Sequence, residues 1–145
     1  MSEPDATPSA ARGGLGFPLA RRLKRKRFIE PLFDREDPDR HSVRAGCVRI
    51  VFRPVPQDSF EGPFQIGVAV GRSRGHAPRR NRVKRIIRET LRLHQERLAA
   101  CSSRMDTALT AMVLFQGKDE SAEVIRQDVE GALNRLSRRL TELAP

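Results

Sequence analysis

Apolar and polar residues alternate along two segments in the first half of the chain, which is the pattern of half-buried β-strands. Residues 43–53 place Val48, Ile50 and Phe52 on one face. Residues 64–72 follow the same pattern, and their shared apolar face consists of Phe64, Ile66, Val68 and Val70. Another group can approach the backbone on the other face of this second strand, because the residues there are small: Gly67, Ala69 and Gly71.

Two segments in the second half repeat their apolar residues every three or four positions, which predicts helices. The first is residues 79–99, with an apolar stripe of Val83, Ile86, Ile87 and Leu91. The second begins at a capping residue, Asp119 or Ser121, and its stripe consists of Ile125, Val129, Leu133, Leu136 and Leu140. Residues 106–116 lie between them and are apolar over the length of a strand, which predicts a strand buried on both faces.

The start of the chain differs from the rest. Residues 1–17 are small and polar, with Pro and Gly, and predict a disordered leader. The domain then covers residues 18–142 and opens with a basic run at 21–27. A short amphipathic helix is predicted next, because apolar residues recur at Leu23, Phe28 or Ile29, Leu32 and Phe33. Pro31 must lie in its first turn or kink it. The order of elements predicts an α+β sandwich with helices packed on a small sheet.

The charge of the chain indicates a polyanionic partner. Its 145 residues carry a net charge of +10, and the pI is about 11.2. The cations concentrate in residues 79–92, where Asn81, Arg85, Arg88 and Arg92 share one side of the predicted helix, with Arg82 beside them. Solvated surface helices usually alternate charges in i,i+4 pairs. This helix does not, so nucleic acid is the expected ligand of its cationic face.

Other partners have less support. No apolar run approaches the roughly 20 residues of a membrane-spanning helix. The first ten residues lack the apolar region of a secretory signal, so we expect a cytoplasmic protein with no membrane partner. Cys47 and Cys101 are far apart in the sequence and have no nearby ligand residues. They are expected to be buried thiols, with no metal and no cofactor bound by the protein.

Candidate catalytic groups are few. His41, His76 and His94 are isolated, and two of them could serve a nuclease as acid and base. Solvated histidines are the simpler interpretation. The segment G-R-S-R-G, residues 71–75, can hold a phosphate or form an ordinary turn. Phe33 can pack in a core or face a nucleotide.

One long segment resembles the signature of the bacterial ribonuclease P protein component. It reads I-G-V-A-V-G-R-S-R-G-H-A-P-R-R-N-R-V-K-R-I-I-R-E-T-L-R, and the family has G-[IV]-x-V-x-K-K and then R-N-R-x-K-R-x-x-R-E. The second motif is complete at Arg80, Asn81, Arg82, Lys84, Arg85, Arg88 and Glu89. Upstream, R-L-K-R-K-R-F-I-E-P-L-F resembles the first helix of the family, R-L-x-x-x-x-x-F-x-x-V-F. The resemblance covers roughly residues 17–140.

The chain departs from the family pattern at three places, one of which is Pro31, an unusual residue inside the first helix. Ile29 stands where the first phenylalanine of the first helix belongs, whereas Phe33 fills the second position. The usual K-K pair at the end of the strand is Arg72-Ser73, and Arg74 can supply the second charge.

The resemblance implies a two-layer fold with a small mixed four-stranded sheet and three helices, in the order α-β-β-β-α-β-α. It also implies a left-handed β-α-β crossover around the basic helix. Such a crossover is an exception to the strong right-handed preference of these units.

The resemblance further implies a protein that assists cleavage within a ribonucleoprotein endoribonuclease, with no catalytic residue of its own. A catalytic RNA with bound Mg²⁺ removes the 5′ leader of precursor tRNA, and the protein binds both RNAs. The implied RNA-binding residues are Arg72, Arg74, Arg80, Asn81, Arg82, Lys84, Arg85, Arg88 and Arg92. The leader would lie in a cleft lined by Arg25, Ile29 and Phe33, with Arg72 nearby.

Three other functions fit parts of the sequence. A structural RNA-binding protein, such as a ribosomal protein, would use the same cationic helix without a role in cleavage. An autonomous nuclease would need two of the histidines. A DNA-binding regulator could read the major groove with the helix, but nothing indicates a dimer with matched half-sites.

Overall fold

The computed structural model describes residues 18–144, so the leader predicted for residues 1–17 lies outside the described part. Its helices are α1 (Lys26–Ile29), α2 (Ala77–Ser102) and α3 (Ala122–Leu143). Its strands are β1 (His41–Ala45), β2 (Val48–Val55), β3 (Phe64–Val70) and β4 (Ala108–Phe115). Short 3-10 turns cover Leu19–Arg21, Glu30–Phe33 and Arg72–Arg74. This composition confirms the predicted α+β class with three helices and four strands.

The four strands form one mixed sheet in the order β1-β2-β4-β3. β2 pairs antiparallel with both β1 and β4, whereas β3 pairs parallel with β4. Because β3 and β4 are parallel, the chain must cross over between them, and α2 forms this crossover. β1 and β3 are the two edge strands. The left-handed path that the family resemblance implies for this crossover stays a prediction.

One face of the sheet carries α2 and α3 and contains the main core. The predicted inward faces of β2 and β3 are confirmed, since their alternate residues join this core with the apolar stripes of both helices. β4 is buried on both faces, as its apolar sequence predicts. Ser121 caps α3 by accepting a hydrogen bond from the Val124 N–H at 3.2 Å, so Ser121 and not Asp119 is the capping residue.

The opposite face is partly covered by α1 and the turn after it. Leu32 is fully buried there, and Leu23 and Phe28 pack beside it. The prediction that Leu23 belongs to the first helix is wrong, because α1 begins only at Lys26. Leu23 is extended along the edge of β3, where its N–H donates to the Ile66 carbonyl at 3.1 Å. Pro31 lies in the first turn of the 3-10 segment, where its missing N–H is tolerated.

The single strand predicted over residues 43–53 is wrong, since this segment is a hairpin of β1 and β2. Gly46 makes the turn with φ of 55°, a left-handed conformation that favours glycine. The Asp128 carboxylate of α3 accepts a hydrogen bond from the Cys47 N–H at 2.9 Å and holds the turn against the helix.

The two cysteines are not fully buried, contrary to prediction. Burial, and then Asp128, raise the pKa of the Cys47 thiol to about 12. Cys47 and Cys101 are free and only half-buried.

Candidate nucleic-acid interface

The loop between β3 and α2 sets the start of the cationic helix. Gly75 has φ of 131° and ψ of −177°, a region open almost only to glycine. α2 begins directly afterwards, with Pro78 in its first turn. The Arg80 Nε donates to the Gly75 carbonyl at 3.1 Å, which ties the first turn of the helix to this loop.

Two further arginines join the same region to the loop before α3. Arg79 forms an ion pair with Asp119, and the Arg74 guanidinium donates to the Gly117 carbonyl at 3.5 Å. Arg74 and Arg80, both predicted to bind RNA, therefore also have structural partners within the protein. The phosphate-binding interpretation of residues 71–75 stays a prediction. Arg74 already donates to a backbone carbonyl, whereas the Arg72 side chain is exposed and makes no hydrogen bond or ion pair within the described residues.

The other cations in the first half of α2 form a surface whose positive charge is not balanced by acidic side chains of the described residues. In the described residues, no acidic side chain pairs with Arg82, Lys84, Arg85 or Arg88. Arg92 is the exception, because it donates to the Glu89 carboxylate at 2.6 Å, and this hydrogen bond raises the pKa of Arg92. Together with exposed Asn81, the four unpaired cations define what we call the cationic face: Asn81, Arg82, Lys84, Arg85 and Arg88.

The cationic face is kept open by the way α2 packs. α3 covers one flank of α2, where the His94 Nε2 lies 3.1 Å from the Glu130 carboxylate and Arg97 donates to Asn134 at 2.8 Å. At 3.6 residues per turn, Lys84 and Arg88 point to the opposite flank. The helix is anchored to the core through Val83, Ile87 and Leu91. The cationic face therefore lies on a helix whose other side is held in the core.

A cavity of about 300 Å³ lies between this flank of α2, the edge of β3 and the N-terminal segment. We call it the edge notch. Its lining combines apolar side chains with three cations, Arg22, Lys24 and Arg88. Its lining residues are Arg22, Leu23, Lys24, Ile29, Ile66, Gly67, Val68, Arg88, Leu91 and Met112. Burial against the protein, and then the neighbouring Arg22 charge, lower the pKa of Arg88, although an arginine stays protonated at neutral pH.

The sheet face opposite α2 and α3 is only partly covered by α1, and we call its uncovered area the open part of the sheet. It carries a second concentration of charge, which sequence patterns did not reveal. Arg44 and Arg49 are directly opposite each other on β1 and β2, and the row continues through Leu114 and Ala69. Like charges at such positions destabilise a sheet. The Arg49 Nε is also buried without a hydrogen-bond partner among the described residues. The arginine pair is therefore suited to an anion that lies on the sheet.

The predicted cleft residues do not all line one cavity. Ile29 is half-buried and lines the edge notch, whereas Arg25, Phe33 and Arg72 are exposed and lie outside its lining. Phe33 is 51 % exposed, which rules out the interpretation that it packs in the core. The buried aromatic residue of the first helix is Phe28, which contacts Phe60 edge-on at 5.7 Å.

Within the described residues, no hydrogen bond joins any two of the three histidines, and they do not form a catalytic pair. His41 of β1 stacks on Phe52 of β2, His76 precedes α2, and His94 of α2 faces Glu130. Residues 18–144 contain no group of three potential metal ligands. Within the same residues, no helix is long and apolar enough to cross a membrane.

A profile of the ribonuclease P family matches residues 17–140, which is most of the chain. The chain belongs to the ribonuclease P family. The match includes the R-N-R motif of α2, the hairpin and β3, so the resemblance predicted from these residues is confirmed. The molecule is a ribonuclease P protein subunit, and its cationic face lies on the element that carries the family motif.

Solved structures of other ribonuclease P proteins share the fold. The protein from Staphylococcus aureus is 24% identical with a TM-score of 0.59, and the alignment covers 81% of this chain and 95% of that one. The protein from Thermotoga maritima is 22% identical with a TM-score of 0.55, covering 81% and 96%. No curated protein sequence matches the chain.

Proposed function

We propose that this ribonuclease P protein binds the catalytic RNA of the enzyme through the cationic face of α2 and assists removal of the 5′ leader from precursor tRNA. The observation that carries the proposal is a group of cations on a helix anchored in the core, none of which pairs with an acidic side chain within residues 18–144: Arg82, Lys84, Arg85 and Arg88. Fixed cations displace condensed counterions from RNA, which gives affinity with little dependence on base sequence. Such binding suits a subunit that serves many tRNA precursors.

The proposal assigns the chemistry of cleavage to the RNA. The described side chains offer neither a histidine pair nor a cluster of metal ligands, so we assign the Mg²⁺ ions of the reaction to the RNA subunit. The role of the protein is to position substrate and catalyst, which requires charge and shape. This work would take place in the cytoplasm, where precursor tRNAs are made.

The leader of the precursor tRNA is proposed to run over the open part of the sheet. The Arg44–Arg49 pair supplies charge there, and exposed Phe33 offers a ring for stacking with a base. Arg25 and Arg72 add exposed cations at the start of α1 and at the end of β3. Ile29 forms a wall of the edge notch at the border of this surface.

A reconstitution experiment decides between this function and its alternatives. The purified protein, the catalytic RNA and a 5′-extended precursor tRNA are combined at modest Mg²⁺, and each component is omitted in turn. We expect cleavage only with the RNA, and faster cleavage when the protein is added. Cleavage without the RNA would identify an autonomous nuclease, and RNA binding without stimulation would indicate the structural RNA-binding role.

A further inference from the structure

Residues 18–25 form a strap that runs along the free edge of β3 before α1 begins. The Leu23 N–H donates to the Ile66 carbonyl at 3.1 Å, and one residue pair of the strap and β3 forms a parallel bridge. The Gln65 Nε2 adds a hydrogen bond to the Ala20 carbonyl at 3.2 Å. One bridged pair is much shorter than an ordinary strand pairing. Side-chain contacts therefore have a large share in holding the strap.

Arg21 joins the strap to both of its neighbours. Its Nη1 donates to the Gln95 Oε1 at 2.9 Å and to the Glu96 Oε1 at 3.1 Å, both on α2. The same guanidinium lies over the Phe64 ring of β3, 5.1 Å from the ring centroid. A cation over an aromatic face is attracted by the quadrupole of the ring. One side chain thus connects the strap, the start of β3 and the second half of α2.

The burial of Arg21 distinguishes this contact from an ordinary surface ion pair. Exposed pairs contribute little, because water and salt screen them and both side chains lose freedom. The Arg21 side chain is only 23 % exposed, although its partner Glu96 is 86 % exposed. The Phe64 ring beneath it belongs to the main core. A planar guanidinium can stack on a ring and donate to two oxygens at once, so Arg21 fixes the strap relative to the core.

The strap leads directly into residues that are proposed to meet the leader. Arg25 is four positions after Arg21 and precedes α1, where its carbonyl accepts a hydrogen bond from the Phe28 N–H at 3.0 Å. α1 has only four residues, and a helix this short is not stable by itself. Its place on the sheet depends on the packing of Phe28 and Leu32 and on the chain that enters it. A released strap would therefore let Arg25 shift.

We propose that Arg21 is a positioning residue for precursor tRNA, because it fixes the strap to β3 and α2 and thereby keeps Arg25 and α1 in place beside the open part of the sheet. The proposal rests on the proposed function, in which the leader passes Arg25. Arg21 needs no contact with RNA for this role. Its partner Glu96 lies about 12 Å along α2 from Arg88, at 1.5 Å per residue. Disrupting the pair should therefore leave the cationic face unchanged.

A charge-swap experiment tests this role. Arg21→Glu reverses one partner, and Arg21→Glu/Glu96→Arg restores an ion pair with the charges exchanged. Arg139→Glu and Arg139→Glu/Glu142→Arg are the matched controls, because Arg139 and Glu142 form an exposed ion pair on α3 at 3.1 Å. Hydrogen exchange of the Leu23 amide in the free protein reports whether the strap is docked. Each reconstituted holoenzyme is then assayed for kcat and KM with precursor tRNA and for its affinity for mature tRNA.

We expect Arg21→Glu to speed exchange of the Leu23 amide and to raise the KM for precursor tRNA by about fivefold. The kcat and the affinities for mature tRNA and for the catalytic RNA should stay within about twofold, because only leader binding is lost. The charge swap should bring KM back to within about twofold of the wild type, since contacting residues are energetically coupled. Both control variants should behave as the wild type does.

Thermal unfolding establishes first that Arg21→Glu is folded. If it is not, Arg21→Gln replaces it, with Arg139→Gln as its control, and the same exchange and kinetic comparisons apply. The proposal is overturned if exchange at Leu23 or the KM for precursor tRNA is unchanged, if mature tRNA loses as much affinity as precursor tRNA, or if the charge swap recovers nothing. An equal loss in the Arg139 variant also overturns it, because net charge would then be the cause. Failure of the proposed function is a different result, in which the wild-type protein does not stimulate cleavage by the catalytic RNA.

Discussion

The arginines of α2 and its preceding loop have two kinds of environment, although the sequence presents them as one basic cluster. Arg74, Arg79 and Arg80 contact backbone carbonyls or an acidic side chain and connect the loops around the start of the helix. Arg82 and Arg85 are exposed, with no acidic partner in the described residues. The first group supports the local structure, and the second is available to RNA.

The difference predicts opposite outcomes for two neighbouring alanine substitutions. Arg82→Ala should leave the free energy of unfolding within about 0.5 kcal/mol of the wild type, as is usual at exposed positions. It should flatten the log–log salt dependence of binding to the catalytic RNA by about 0.9, the value for one phosphate contact. Filter-binding titrations at several salt concentrations measure this slope.

Arg80→Ala is the matched control within the same helical turn. It removes the hydrogen bond to the Gly75 carbonyl and should lower the free energy of unfolding by about 1 kcal/mol or more. Chemical denaturation of both variants compares the stabilities. An unchanged affinity and salt slope for Arg82→Ala would remove this residue from the interface.

Phe33 belongs to the surface although it follows the buried Leu32. Because its side chain is 51 % exposed, Phe33→Ala should cost much less than the 3–5 kcal/mol typical of a buried phenylalanine. If the ring stacks on a leader base, the holoenzyme should lose about 1–3 kcal/mol of affinity for precursor tRNA. Mature tRNA has no leader, so its affinity should hardly change.

The two tRNA affinities and the melting temperature are measured for the same protein preparation. Equal losses for precursor and mature tRNA would argue against a leader contact at Phe33. A large drop in melting temperature without any precursor-selective loss would show that the ring has a structural role instead.

At the scale of an element, the loop before α2 depends on one glycine. Gly75→Ala forces a side chain into a backbone conformation that only glycine adopts readily, and its Cβ would also approach Arg79. The expected loss of stability is about 1–3 kcal/mol. The shifted loop should also weaken RNA binding, because the Gly75 carbonyl orients Arg80.

Gly71→Ala is the control for this substitution in the same loop. Gly71 has φ of −63°, and an added Cβ would meet only the Ser73 side chain at 3.9 Å. Melting temperatures should therefore separate the two variants. If Gly71→Ala is as destabilising as Gly75→Ala, loop flexibility and not the conformation of Gly75 controls stability.

The elements also show where local patterns are informative. Alternation identified the inward face of β2 because Val48, Ile50 and Phe52 are buried by two helices. It was not used to divide the segment, although the apolar positions change from odd-numbered Val43 and Ala45 to even-numbered residues after the turn. The turn depends on Gly46 and on Asp128, a residue far away in the sequence. Gly46 and the change in phase of the apolar positions around it were the local signals that could have divided the strand.

For the whole molecule, the parts predicted from sequence are those that depend on contiguous residues. The R-N-R motif and the α+β order follow from such residues; the family match confirms the resemblance, and the structure confirms the order. The Arg44–Arg49 pair and the edge notch depend on strand pairing and on the path of residues 22–29 across the sheet. No local pattern contains this information. The exposure of Phe33 likewise depends on how the turn after α1 packs.

The distribution of charge over the whole molecule gives the last prediction. The chain has a net charge of +10, so attraction to RNA could be diffuse or could be localised at the cationic face. If Arg82, Lys84, Arg85 and Arg88 each neutralise one phosphate, they contribute a log–log salt slope of about −3.6. The double variant Arg85→Ala/Arg88→Ala should therefore flatten the slope by about 1.8. Arg135→Ala/Arg138→Ala on α3 removes the same charge from exposed positions outside this face and should leave the slope nearly unchanged. Equal flattening by both double variants would mean that net charge, and not the cationic face of α2, holds the RNA.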